Sequence, residues 1–443
     1  YIIKKIDNLE LQGGYIYEQY GSGIALRTFE ERNLGIDNAL FGVRAKYKIN
    51  DNLSIRAVAG TQKNRLDFFG SFIKGINFEG SLPINEDMNL NFGAAVVNRT
   101  LAKTDRDAVD NVVSTYNLAN YFQVPYNAYV MQLYYTLQYK EFSWYSETAY
   151  KTKDAVYNSN DNHYYNKEGY SILNSISYSR PSLGVVLQSR YVENFKFQST
   201  SAGSLDFNLN NNRRLAFLSP INRQNSLRLP ARFQIAPQDI NEFASSIDLT
   251  YSPAKKVHIN LNLCVIDSSL KMNHSYYKEA YLDVEFKKLL GGKLDQHVGA
   301  QYIFYNQYQY QREGKSDVQA YTFFVEPTYR IDRKKSIRTE IQYQYAPKDI
   351  GQSIFALVEF NIAPSWSFSV SDLYNFRPNK EYEIVKEYQN PHHFYSVFAS
   401  YTKNTMRFTL AYSKQLAGIV CTGGVCRFEP AFSGLRAQLT SSF

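Results

Sequence analysis

Cys421 and Cys426 enclose four residues in a C-x4-C spacing close to the end of a 443-residue chain. In an oxidising compartment such a pair forms a disulfide that pins a hairpin tip; the rival use, half of a zinc site, lacks a second cysteine pair or a nearby histidine. Cys264 shares a face with Asn260 and Asn262 and reads as a small packed thiol. His392 and His393 stand side by side without a third ligand, so the spacing offers no metal site, and no cofactor motif accompanies them. Residues 200–240 carry Arg213, Arg214, Arg223, Arg228 and Arg232 against two acids, Asp206 and Asp239. The interleaved Leu215, Phe217, Leu218, Leu227, Leu229 and Phe233 make this stretch too apolar for a free tail. It either packs over or inside the body of the fold, or docks on a partner, where its arginines suit lipopolysaccharide phosphates or anionic solutes.

Residues 20–38 place Gly21 and Gly23 ahead of Arg27, Glu30, Glu31, Arg32 and Asp37. Paired charges of this kind either narrow a pore or stay in solvent as an external loop. No Lys-Ser or Lys-Thr follows the glycines, which excludes a phosphate-cradling loop. Ser, His and Asp are scattered without a nucleophile–base arrangement, so the chain reads as non-enzymatic.

The elements that must position these residues have a period of two. In residues 336–345, Ile337, Thr339, Ile341, Tyr343 and Tyr345 alternate with Arg338, Glu340, Gln342 and Gln344. Residues 41–49, 257–265 and 405–413 repeat the pattern, which a helix would not tolerate. Short Asn-, Asp-, Pro- and Lys-rich turns, as at 50–52, 252–256 and 403–404, take turns with longer polar breaks, as at 62–69, 100–127, 154–168, 200–240 and 376–390. Counting them gives twenty strands, within two.

Composition narrows the class. The chain is 44% hydrophobic and 20% charged, with 38 Tyr and 29 Phe, so it can build a core and favours strands and interfacial belts. Mean hydropathy is −0.41 and no run approaches the ~18 apolar residues of a spanning helix. The net charge of +8 comes from scattered Lys and Arg, which does not suggest a nucleic-acid partner. Absence of an initial Met and of an apolar leader predicts that a signal peptide has already been removed. Together these features predict an all-β fold: one antiparallel up-and-down transmembrane β-barrel over residues 1–443, about 20 strands (18 to 22), with short periplasmic turns and long extracellular loops. An even strand number with both termini in the periplasm belongs to that expectation. Twenty strands at ~4.8 Å spacing and ~40° tilt give a cylinder near 40 Å across, too wide for side chains alone to fill.

The parity assigns Arg44, Lys46, Arg56, Arg338, Arg407 and Arg436, with Glu242, Asp248, Asp283, Glu285 and Glu340, to the lumen. Mixed signs predict a weakly selective aqueous path. The last strand ends on Phe443, a terminal aromatic read by the barrel-assembly machinery in outer-membrane barrels.

The segments YGSGIALRTFEER (residues 20–32) and CTGGVCRFEP (residues 421–430) resemble an uncharacterised family of large Bacteroidota outer-membrane barrels. The resemblance implies residence in a bacterial outer membrane among lipid and lipopolysaccharide, and assigns no site residue. Two functions fit: a porin-like channel for passive diffusion of small polar solutes, or a non-enzymatic subunit of a larger outer-membrane complex with other membrane proteins or lipoproteins and an occluded lumen.

Overall fold

A computed structural model describes all residues except 32–34, 65, 159–160, 202–211, 269–274, 312–316, 382–388, 423–424 and 442–443. The alternating segments form strands in the order β1 (Ile2–Ile6), β2 (Leu9–Ile16), β3 (Glu30–Glu31), β4 (Ile36–Asp37), β5 (Leu40–Asn50), β6 (Leu53–Asn64), β7 (Asp67–Asn85) and β8 (Met88–Thr100). Helix α1 (Lys103–Val113) precedes β9 (Asn127–Tyr139), β10 (Phe142–Asn158), β11 (His163–Arg180) and β12 (Leu183–Glu193). There follow β13 (Asn241–Ala254), β14 (Val257–Asp267), β15 (Ser275–Lys288), β16 (Leu294–Asn306), β17 (Asp317–Arg330), β18 (Lys335–Ala346), β19 (Gly351–Ile362) and β20 (Trp366–Pro378). The chain ends through β21 (His392–Lys403), β22 (Met406–Gln415), β23 (Gly418–Thr422), β24 (Val425–Glu429) and β25 (Phe432–Ser441).

Among the described residues, 21 strands form one antiparallel sheet in which each strand pairs with the next along the chain; β5 follows β2, and β25 follows β22. The pairs β3–β4 and β23–β24 stand apart as small ladders within long connections. The architecture is all-β, up-and-down and of the outer-membrane barrel type.

Exposure follows the pleat in the inverse sense of a water-soluble protein. Gln342, Gln344, Ser353 and Asn262 are fully buried on the inner face. On the outer face Val358, Val370, Val397, Tyr412 and Leu435 lie opposite one another across β19, β20, β21, β22 and β25, all exposed. Exposed Tyr47, Tyr139, Phe142, Tyr251, Tyr329 and Trp366 cluster at the short-turn end. An apolar band edged by aromatic side chains matches a bilayer core and its interface.

Three features depart from the sequence reading. Strand β1 hairpins onto β2 through the turn at Asp7, so the sheet has 21 described strands, inside the expected 18 to 22, and β1 and β25 run in the same direction. Among the described residues the count is thus odd where an even one was expected; IIKKI has no alternation to betray a strand. No ladder joins β1 to β25 among the described residues. Second, the polar breaks at 62–69 and 154–168 are mostly strand, because β6, β7, β10 and β11 carry their ladders out past the apolar band, where polar residues pair as well as any. Third, residues 100–127 contain α1, whose Val109 and Val113 pack on Leu101, Val124, Ala155 and Tyr164.

Candidate functional site: a segment folded into the lumen

Asn194 and Ile240 meet at the long-loop end, where Asn194 N donates to Ile240 O at 2.5 Å and Phe195 N to Asp239 O at 2.6 Å. The connection between them leaves the wall and returns to the same place. In between it touches inner-face groups right around the sheet. Arg214 O accepts from Gln62 of β6 at 2.8 Å. Gln198 O accepts from Arg99 of β8 at 3.2 Å, and Arg99 in turn donates to Asp154 of β10 at 2.7 Å. Asn225 donates to Glu279 of β15 at 3.2 Å. Leu229 N donates to Gln342, and Leu229 O accepts from Gln344, both on β18. Leu229 also packs against Phe355, Leu373 and Phe394 of β19, β20 and β21. A single segment reaching these strands from inside must cross the enclosed space.

Apolar contacts carry most of this packing. Phe195, Phe197, Leu215, Leu218, Ile221, Phe233 and Ile235 share one buried cluster with inward residues of the wall, among them Val97, Val130, Val192, Ile303, Val318 and Ala320. Fully burying one such side chain stabilises by roughly 1.5–3 kcal/mol. The long-loop half of the lumen is therefore a dry core, contrary to the expectation of a wet, charge-lined path throughout. The pattern hid this because β16 and β17 are apolar on both faces there.

The arginines of the segment turn inward. Arg223 Nη2 reaches Asp283 Oδ2 at 3.2 Å with its guanidinium 4.1 Å over the Tyr281 ring. Arg232 Nη2 donates to Asp349 Oδ1 at 3.0 Å. Arg214 pairs with Asp239, and Arg213 is buried, its carbonyl accepting from Ser199 N at 2.8 Å. Arg228 is exposed. In the wall, Arg190 of β12 and Glu242 of β13 form a fully buried pair. Arg190 also donates to Ser219 O, and Glu242 accepts from Gln238 N at 2.8 Å, so the pair clamps both arms of the segment.

Residues 20–38 take the inward course as well. Gly21, at φ +52°, sits where a Cβ would lie 2.4 Å from Gln132 and Glu147, so the bend against β9 and β10 needs a glycine. Arg27 N donates to Leu215 O at 2.8 Å, and Phe217 N to Gly23 O at 3.0 Å, tying the two segments together. Arg27 lies 4.8 Å over Phe29, which meets Phe217 edge-on. Glu30 and Glu31 form the small ladder with Asp37 and Ile36, while Arg32 lies outside the described residues.

At the short-turn end the lumen is hollow. One cavity of about 600 Å3 is lined by Lys46, Lys48, Glu79, Phe92, Tyr134 and Tyr145. Another of about 570 Å3 lies across from it, beside Arg330, Lys335, Glu359 and Arg407. Arg44 bridges Glu18 and Glu10 at 2.7 and 2.8 Å, and Arg338 gathers Glu326, Glu340 and Glu359 within 3.5 Å. Arg436 is exposed, 5.3 Å from the Phe432 ring. Backbone pairing sets Cys421 directly opposite Cys426, with both side chains outside the described residues; Phe443 also lies outside them, and Cys264 is a free, buried thiol.

A family model spanning residues 1–443 matches this chain: Family of unknown function (DUF6029). The chain belongs to that family. No curated protein matches the sequence. Among solved structures it is similar to the Pseudomonas aeruginosa protein OccK8 (OprE), at 9% identity and TM-score 0.40 over 88% of this chain and 95% of that one. It is similar to Acinetobacter baumannii OccAB3 at 8% identity and TM-score 0.39, covering 88% and 98%. The ferric-catecholate import receptor Fiu of E. coli K12 aligns at 10% identity and TM-score 0.40, covering 99% and 78%.

Proposed function

We propose that this DUF6029 chain is an outer-membrane channel for small polar solutes whose path is narrowed by residues 195–239. The observation that carries the reading is the union of an outward apolar band with an inner segment that links β6 to β18 through the middle of the sheet. A wide cylinder leaks unless something fills it; here the long-loop half is filled and the short-turn half is left as a polar vestibule. The reading is non-enzymatic, with lipid, lipopolysaccharide and the barrel-assembly machinery as its surroundings. A second reading, an occluded subunit of a larger outer-membrane complex, draws support from the apolar core between segment and wall, which resists displacement.

Because Asn194 and Ile240 are hydrogen-bonded neighbours, residues 196–238 can be replaced by a short Asn-Gly turn without stretching β12 or β13. Purified protein in planar bilayers is expected to pass a small ion current that rises severalfold in the excised variant. A silent parent with a conducting variant would transfer the assignment to the occluded subunit. Silence in both would overturn the closed cylinder itself.

A further inference from the structure

Below Arg223, three side chains from two strands converge on the inner wall. Asp283 and Glu285 are two residues apart on β15 and so face the same way; His297 of β16 stands directly opposite Glu285. One candidate ligand atom from each lies within 4.8 Å of the other two. His297 Nε2 comes within 3.5 Å of Asp283 Oδ1. That is close to the ~3.3 Å separating two ligands about a tetrahedral ion with bonds of ~2.0–2.1 Å. The far ring nitrogen, Nδ1, faces Glu326 Oε2 of β17 at 3.6 Å. A carboxylate in that position is how proteins orient a metal-bound imidazole. Phe324 meets the ring edge-on at 5.0 Å, and Nε2 is buried and makes no hydrogen bond. Glu285 and His297 are only half-buried, which leaves the cluster reachable from the lumen.

We propose that Asp283, Glu285 and His297 form a binding site for a divalent cation of the zinc class, and that the cation competes with Arg223 for Asp283. One imidazole and two carboxylates suit borderline ions better than calcium or magnesium, which prefer all-oxygen shells. Asn260 Nδ2 holds Asp283 Oδ1 at 2.8 Å and Arg223 holds Oδ2 at 3.2 Å, so the carboxylate is already aimed across the cluster. A divalent charge at Asp283 repels the guanidinium beside it, and in a partly dry site that repulsion is strong. Filling the site thus loosens one polar anchor of the inward segment. The inference does not depend on conduction: it stands for an open or an occluded barrel.

The test is calorimetric titration of Zn2+ into tag-free, chelator-stripped protein in detergent, with Co2+ absorption as a second readout of the coordinating atoms. The wild type is expected to bind one ion per chain. His297→Ala and the isosteric Glu285→Gln should each weaken binding roughly tenfold or more and abolish the Co2+ spectrum. Arg223→Gln should tighten it, by relieving the competition. Absence of saturable binding, or wild-type titrations from both ligand variants, would overturn the site; if His297→Ala does not fold, Glu285→Gln alone decides. Weaker binding by Arg223→Gln would overturn the competition while leaving the site.

Discussion

Arg190 and Glu242 are fully buried, and each spends part of its hydrogen-bonding capacity on the backbone of the inward segment. Removing one partner strands a charge in a dry place, which costs about 3–5 kcal/mol, whereas neutralising both avoids that penalty. Arg190→Met is accordingly expected to lower stability by that amount in urea titrations in detergent micelles. In Arg190→Met/Glu242→Gln the glutamine oxygen still accepts from Gln238 N, and much of the loss should return. A double variant as damaged as the sum of its singles would show that the two side chains act independently. Parity alone marks Glu242 as a lumen residue from the sequence. Its partner is harder to see, because Arg190 sits among hydroxyl and apolar residues in QSRYVE and lies 52 positions away. Register, not distance, hides the cation cluster: Asp283 and Glu285 read as lumen acids, but His297 on the next strand becomes their neighbour only once β15 and β16 are paired.

At the scale of elements, strands were legible wherever one face is apolar and exposed and the other carries polar groups, as in β18 and β22. They blurred where the inner face packs on protein. Val318 and Ala320 face inward while Tyr321 and Phe323 face outward, so β17 is apolar on both sides and loses its period. The inward segment was legible as something that must be packed, from its arginines and leucines, but its destination depends on acids such as Asp283 and Asp349, 60 and 117 positions away. The β23–β24 hairpin is the reverse case, being local. Residues opposite one another in an antiparallel ladder have Cα atoms about 4.5–5.5 Å apart, inside the range a disulfide spans. In an oxidising envelope Cys421 and Cys426 are therefore expected to be linked. Native protein should take up no maleimide by mass spectrometry, two equivalents after reduction, and a third, at buried Cys264, only after denaturation. Two additions before reduction would rule the bridge out.

For the molecule as a whole, the decisive quantity is the environment of the outer face. Val358 and Val370 lie opposite each other near the middle of β19 and β20, are 53% and 58% exposed, and belong to a row that continues through Val397, Tyr412 and Leu435. In water, replacing an exposed valine by lysine is close to neutral, because the ammonium stays hydrated and surface changes of this kind fall within about 0.5 kcal/mol. In a bilayer the same side chain has to be carried into hydrocarbon, at about 2–4 kcal/mol near the midplane and less toward the interfaces. Val358→Lys and Val370→Lys should thus each destabilise the protein by that larger amount when folding is measured reversibly into phospholipid vesicles. Leu118, exposed in the connection between β8 and β9, provides the internal contrast, since a lysine there should change little. The gradient between the two positions is a direct reading of membrane depth: a flat response would mean that the apolar band faces something other than lipid, and the cylinder would then have to be covered by a protein partner over its entire girth.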